Sequence, residues 1–178
     1  MAAVLPETRR SGSYYRVCDP DWTDCADTTF AKAHGGRWNP PGAFGALYLN
    51  ATLRVAAANA RRAHAGRAIG LFDLRPEERP HLATFLIPSL RVVDAVGEAG
   101  VRELGFPPTF PVDIDWAPCQ AIAAHAYANG FDGAAARSAA EARFSGSLGE
   151  ELAVFDTHVL APTDRVPFHT WYPDPAPL

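Results

Sequence analysis

From Asp19 to Gly45 the chain carries Pro20, Gly35, Gly36, Pro40, Pro41, Gly42 and Gly45, a density of φ-fixing and φ-permissive residues that breaks regular structure. The whole stretch is therefore expected to be loop. Irregular connections longer than about 12 to 15 residues are usually functional or disordered, and the aromatic residues Trp22, Phe30, Trp38 and Phe44 argue against disorder. An ordered binding loop follows, carried by whatever scaffold the rest of the chain can build.

That scaffold reads as strands mixed with two main helices. After a polar arm over residues 1–13, Tyr14 to Cys18 is rich in β-formers, and Ala46 to Leu49 forms a second short strand. Asn50 or Thr52 can cap an Ala-rich helix running to about His64, with Gly66 as its stop. On a helical wheel Leu53, Ala56, Ala60 and Ala63 share one arc, Arg54 and Arg61 point roughly opposite, and Asn59 borders the apolar arc. Ala68 to Leu74, Ala83 to Ile87 and Arg91 to Ala95 read as further strands, the last two parted by Pro88-Ser89. A short helical stretch around Val96 to Leu104 precedes a Pro-rich segment, in which Asp113, Asp115 and Trp116 read as a solvated loop. Pro118 suits the first turn of a helix over Cys119 to Asn129 that Gly130 stops. Phe131 to Arg137 and Glu151 to Phe155 are the last strands expected. Without regular βαβ alternation the pattern predicts an α+β fold, a single compact domain of mixed or antiparallel sheet with a few helices over residues 14–161. The Pro-rich tail over residues 162–178 is expected to pack on its surface.

Composition narrows the function classes. The 16 basic and 20 acidic residues give a formal net charge of −4 with no block of like charge, which argues against a protein that tracks nucleic-acid phosphates. Lys32 is the one lysine, so the positive charge is almost all guanidinium, the group suited to planar recognition of phosphate or carboxylate. Cys18, Cys25 and Cys119 form no C-x-x-C pair and read as small core residues in a reducing compartment. The scattered histidines show no metal-ligand spacing, so no metal is expected. The short apolar stretch from Ala2 precedes Arg9 and Arg10, the reverse of a secretory signal, and no apolar run reaches transmembrane length; a cytoplasmic protein with no membrane partner is expected.

Gly35-Gly36-Arg37-Trp38-Asn39-Pro40-Pro41-Gly42 joins flexible glycines to a guanidinium, an indole and an amide before a rigid exit. It can approach a ligand with its backbone, pair an anion with Arg37 and hold a polar edge with Asn39, or it can be a loop that Trp38 staples into the core. Taken with the rest of the chain, the loop resembles the RES-domain family, toxins of bacterial toxin–antitoxin systems named after an Arg, a Glu and a Ser. Tyr15-Arg16-Val17 is similar to the family's first-strand arginine, Gly36-Arg37-Trp38-Asn39 to its G-R-W-N loop, and Leu47-Tyr48-Leu49 to its tyrosine strand. Ile87 to Asp94 resembles its central strand pair, and Arg137-Ser138-Ala139 occupies the place of its serine motif, where the family often has Pro before the Ser.

The resemblance implies an ADP-ribosyltransferase-like fold that cleaves the nicotinamide–ribose bond of NAD, with inorganic phosphate as acceptor in some members and a helix-turn-helix antitoxin as partner. It implies that Arg16 and Arg37 clamp the dinucleotide, that Tyr48 stacks on it, that Trp38 and Asn39 line its site, and that Ser138 hydrogen-bonds it. The position of the family's glutamate is held here by Asn59, and no acidic residue lies between Leu49 and Leu71. Asn59 can hydrogen-bond a ribose hydroxyl but supplies no carboxylate field. Either Glu141, Glu150 or Glu151 replaces the carboxylate from another direction, or the chain is a weakened NAD- or ADP-ribose-binding module. If the site is otherwise intact, Asn59→Glu should raise cleavage; if another glutamate already serves, the rate should stay flat or fall. Protein ADP-ribosylation and self-association as a homodimer are left open.

Overall fold

The computed structural model describes residues 4–141 and 149–172. Among them β1 (Glu7–Cys18), β2 (Ala46–Asn50), β3 (His81–Ala95), β4 (Gly133–Arg137), β5 (Glu150–Phe155) and β6 (Asp164–Val166) form one sheet in the order β1-β2-β5-β4-β3-β6, and β1 pairs with β3 as well. The sheet therefore closes on itself. β1 and β3 run antiparallel along nearly their whole length, from Glu7↔Val93 to Cys18↔His81, whereas β1 touches β2 through one register pair, Tyr15↔Asn50. β3 and β4 are the one parallel pair; the others are antiparallel, as an α+β domain of mixed sheet requires.

The helices are α1 (Thr29–His34), α2 (Leu53–His64), α3 (Glu98–Glu103), α4 (Trp116–Ala128) and α5 (Phe168–Trp171). α2 starts where Thr52 accepts the Val55 N–H on its hydroxyl at 3.2 Å, a cap that satisfies one orphan donor of the first turn. One core packs α4 against the sheet, with Trp38, Phe44, Phe110, Phe131 and Phe155 around Cys119, Ala123 and Ala126. Another lies within the closed sheet, around Tyr14, Phe85, Leu90 and Leu152, and a third joins α2 to the tail through Ala56, Ala60, Phe168 and Trp171. Each fully buried Leu or Phe contributes roughly 1.5 to 3 kcal/mol relative to exposure, so the closed sheet is a rigid platform for the loops at its edge.

Several elements differ from the sequence expectation. β1 begins at Glu7, so much of the expected arm is strand, bent where the register shifts between Arg10 and Gly12. β3 is continuous through Pro88 because that shift leaves Pro88 opposite no paired residue of β1, and β4 and β6 bond the other edge only at Val92–Ala95 and Leu82–Thr84. A missing N–H costs nothing where no ladder bond is due. The strand expected over Ala68 to Leu74 is a run of turns. Helix α1 stands inside the supposed all-loop segment, in the part between Pro20 and Gly35 that holds no glycine or proline. Burial of α2 is wider than its sequence arc: Val55, Ala57 and Ala58 are buried with Ala56 and Ala60, while Leu53 is exposed. The tail explains much of that, since Phe168, Trp171 and Tyr172 fold back on Ala56, Ala57 and Ala60. Cys18, Cys25 and Cys119 are free and buried, as expected of core thiols. Among the described residues no helix is long and apolar enough to cross a membrane, and no cluster of three or more His, Cys, Asp or Glu could hold a metal ion.

Candidate active site

Where the loop meets β2, its glycines allow a tight junction. The Gly36 N–H donates to the Asn39 carbonyl at 2.9 Å, and the Gln120 side chain on α4 donates to the Gly36 carbonyl at 2.9 Å. A Cβ at Gly36 would strike the Tyr48 hydroxyl and come within 2.8 Å of Asn39 Oδ1, so position 36 has no room for any other residue. The Tyr48 hydroxyl accepts the Trp38 N–H at 2.8 Å and donates to Asn39 Oδ1 at 2.8 Å. Burial, opposed by the Trp38 bond, holds the Tyr48 phenol above the ordinary tyrosine range. Asn39 is fully buried and gives its amide hydrogens to the Ala31 and Phe44 carbonyls at 2.7 and 3.2 Å. Its hydrogen-bonding capacity therefore serves the loop, not an open edge. Trp38 is likewise buried, edge-on to Phe110, so the indole staples the loop to the core.

Three contiguous cavities of about 520, 420 and 280 Å³ meet at Tyr48. The largest runs from Tyr48 past Arg16 to Trp22 and Phe30; another runs past Arg37, Arg62 and Trp116; the smallest lies between Arg16, Asn50, Asn59 and Glu151. Trp116, expected in a solvated loop, is the first residue of α4 and walls the Arg37 side. Arg16 donates to the Cys25 and Asp27 carbonyls at 2.6 and 3.2 Å and lies 5.2 Å from the centre of the Trp22 ring. It thus ties down the first half of the loop as well as lining the cleft, and burial works against its charge. Arg37 makes one long contact, 3.5 Å, to the Pro111 carbonyl.

At the centre lies the carboxylate that the α2 sequence lacks. Glu151 Oε1 accepts from Asn59 Nδ2 at 2.9 Å and from the Ser138 hydroxyl at 2.7 Å, while its Oε2 has no protein partner among the described residues. Asn59 donates its other amide hydrogen to Asn50 Oδ1 at 2.7 Å, and Asn50 in turn donates to the Tyr15 carbonyl at 2.9 Å. Position 59 therefore has to donate twice, which an amide does and a carboxylate cannot. The other two glutamates are accounted for elsewhere. Glu150 faces the opposite side of β5, where Arg10 and Tyr14 hold it; Glu141 is buried and paired with Arg54. Alternation along β5 puts Glu151 on the side of Ala153 and Phe155, away from Glu150, and the pairing of Ala153 with Tyr48 on β2 places that side at the cleft. Arg16, Arg37, Trp38, Tyr48 and Asn59 thus line the joined cavities together with Glu151, while Ser138 is buried and reaches them only through its bond to Glu151. Asn50 and Gln120 were not legible as parts of the site, since each acts through another residue.

The RES domain family matches residues 13–174. No curated protein matches the chain. Among solved structures, the crystal structure of the M. tuberculosis MbcT–MbcA toxin–antitoxin complex is similar, with 23% sequence identity, a TM-score of 0.75, and coverage of 90% of this chain and 86% of that one. The match spans nearly all of the chain: it belongs to the RES domain family.

Proposed function

We propose that this protein cleaves the nicotinamide–ribose bond of NAD and acts as the cytoplasmic toxin of a toxin–antitoxin pair. The observation that carries the reading is Glu151, a carboxylate fixed by Asn59 and Ser138 in a cleft whose ends bear Arg16 and Arg37. As the C1′–N bond breaks, its electron pair goes to the pyridinium nitrogen and nicotinamide leaves neutral, so positive charge develops on the ribose. A preorganised carboxylate stabilises that charge more than the ground state. Glu151 has one oxygen held and one open, the arrangement such a role needs. Tyr48 supplies the wall against the leaving ring, and the two arginines, one toward each end, clamp the dinucleotide. An acceptor oxygen, from inorganic phosphate or water, then forms the new bond to C1′.

Glu151 favours turnover over the binding-only alternative, which rested on the lack of a carboxylate. Membership of the RES family and likeness to a toxin bound to its antitoxin support a cognate antitoxin, of the helix-turn-helix type that the family resemblance implies, which covers the cleft. The direct test is chromatography of NAD incubated with purified protein, with and without phosphate. Nicotinamide release is expected in both and faster with phosphate; NAD binding without any release would reverse the conclusion.

A further inference from the structure

Away from the cleft, a separate cavity of about 320 Å³ lies between α3 and the Pro-rich segment, lined by Glu98, Val101, Arg102, Phe106, Pro108 and Arg137. Arg137 is 4% exposed, a charge almost wholly removed from water. Its Nε donates to the Val96 carbonyl at 2.9 Å and its Nη1 to the Pro108 and Phe110 carbonyls at 2.9 and 3.5 Å. Among the described residues its Nη2 has no acceptor, and no carboxylate pairs with the guanidinium within 4.0 Å. Glu98 lines the same cavity without pairing with either arginine, so the lining carries one net positive charge. Backbone carbonyls take up part of the guanidinium, and the nitrogen left open presents positive charge that no carboxylate neutralises, which complements an anionic ligand.

We propose that this cavity is a second binding site, for a small organic oxyanion, a carboxylate or a phosphate monoester carrying an aromatic or short aliphatic body. The anionic end meets Nη2 of Arg137 and the exposed guanidinium of Arg102; the body packs on Val101 and on Phe106, whose ring stacks on Phe110 at 4.4 Å. The volume is that of a small ligand site with few polar groups at one end. Two links run from here to the cleft. Arg137 immediately precedes Ser138, and the segment whose Pro108 and Phe110 carbonyls it holds continues to Pro111, whose carbonyl contacts Arg37.

Titration calorimetry of the purified protein with phenyl phosphate, benzoate and inorganic phosphate tests the site. Binding of phenyl phosphate or benzoate at about 10 mM or below, tighter than inorganic phosphate, is expected, and which of the two binds tighter assigns the anion class. Arg102→Glu, a surface change compatible with folding, should weaken that binding by at least about tenfold through charge reversal. Arg137→Gln should do the same, and Arg37→Ala should leave it unchanged. No binding of either organic anion overturns the proposal. So does binding that survives Arg102→Glu but is lost in Arg37→Ala, since the ligand would then sit in the NAD cleft.

Discussion

Asn59→Glu separates the two accounts of the missing carboxylate, because it puts a glutamate where the family resemblance implies one. In the structure Asn59 Nδ2 lies 2.9 Å from Glu151 Oε1 and 2.7 Å from Asn50 Oδ1, so a glutamate there faces two acceptors and donates to neither. Losing the charge-assisted bond costs about 1.5 to 3 kcal/mol. Two carboxylates about 4 Å apart repel by about 4 kcal/mol at an effective dielectric of about 20, and proton uptake by the pair sets a ceiling on that cost. With an ordinary glutamate titrating near 4.3, the ceiling is about 3.7 kcal/mol at about pH 7 and about 1 kcal/mol at about pH 5. Water at the open side of the cleft lowers both figures. The pair holds one proton to higher pH in the folded state than in the unfolded chain, so the variant loses stability as pH rises through that window and regains it on acidification. Urea denaturation of both proteins at about pH 5 and about pH 7 should show a stability gap that widens by roughly 1 to 2.5 kcal/mol toward neutrality, and NAD cleavage by the variant should not rise. A gap independent of pH, or a variant that cleaves NAD faster than the native protein, would refute the placement of Glu151 beside Asn59.

The remaining expectations use the same contacts. Arg37→Ala should weaken NAD binding, read by calorimetry, with little change in thermal stability, whereas Arg16→Ala should lower both, because Arg16 also holds the Cys25 and Asp27 carbonyls. Tyr48→Phe strands the Trp38 N–H and Asn39 Oδ1 and should cost about 1 to 3 kcal/mol for each group in denaturant unfolding. In the native protein the buried Tyr48 phenol keeps its proton where the unfolded chain ionises, so stability should fall as pH rises above about 10, and less steeply in Tyr48→Phe. Gly36→Ala should destabilise by at least about 2 kcal/mol, read as a shift of the urea midpoint, since its Cβ meets the rigid Tyr48–Asn39 junction.

Local chemistry made part of this molecule readable in advance. Thr52 as the cap of α2 and the left-handed Gly66 and Gly130 just beyond α2 and α4 each satisfy rules that operate within a few residues. Arg16, Arg37, Tyr48, Asn59 and Ser138 could be assembled because family motifs fixed their order. What failed depends on distant partners. Pro88 breaks a strand in isolation, and only the register shift in β1 shows that it breaks nothing here. Ala68 to Leu74 has strand composition, yet among the described residues no partner strand pairs with it. Asn39 looked like an open amide because nothing in G-R-W-N reveals that the Ala31 and Phe44 carbonyls take its hydrogens. Glu150 and Glu151 are adjacent and chemically identical, and strand alternation separates them without saying which side faces the cleft. The pairing of β5 with β2 decides it.

The central claim is that Glu151, held by Asn59 and Ser138, is the group that makes this cleft an enzyme. Its most direct test is the rate of nicotinamide release from NAD by Glu151→Gln against the native protein, with NAD affinity measured on both. Native turnover, a loss of about 10² to 10³ in the variant and near-equal affinity are the predicted result, since the substitution keeps the shape and removes the charge. A variant that releases nicotinamide at the native rate would contradict the claim.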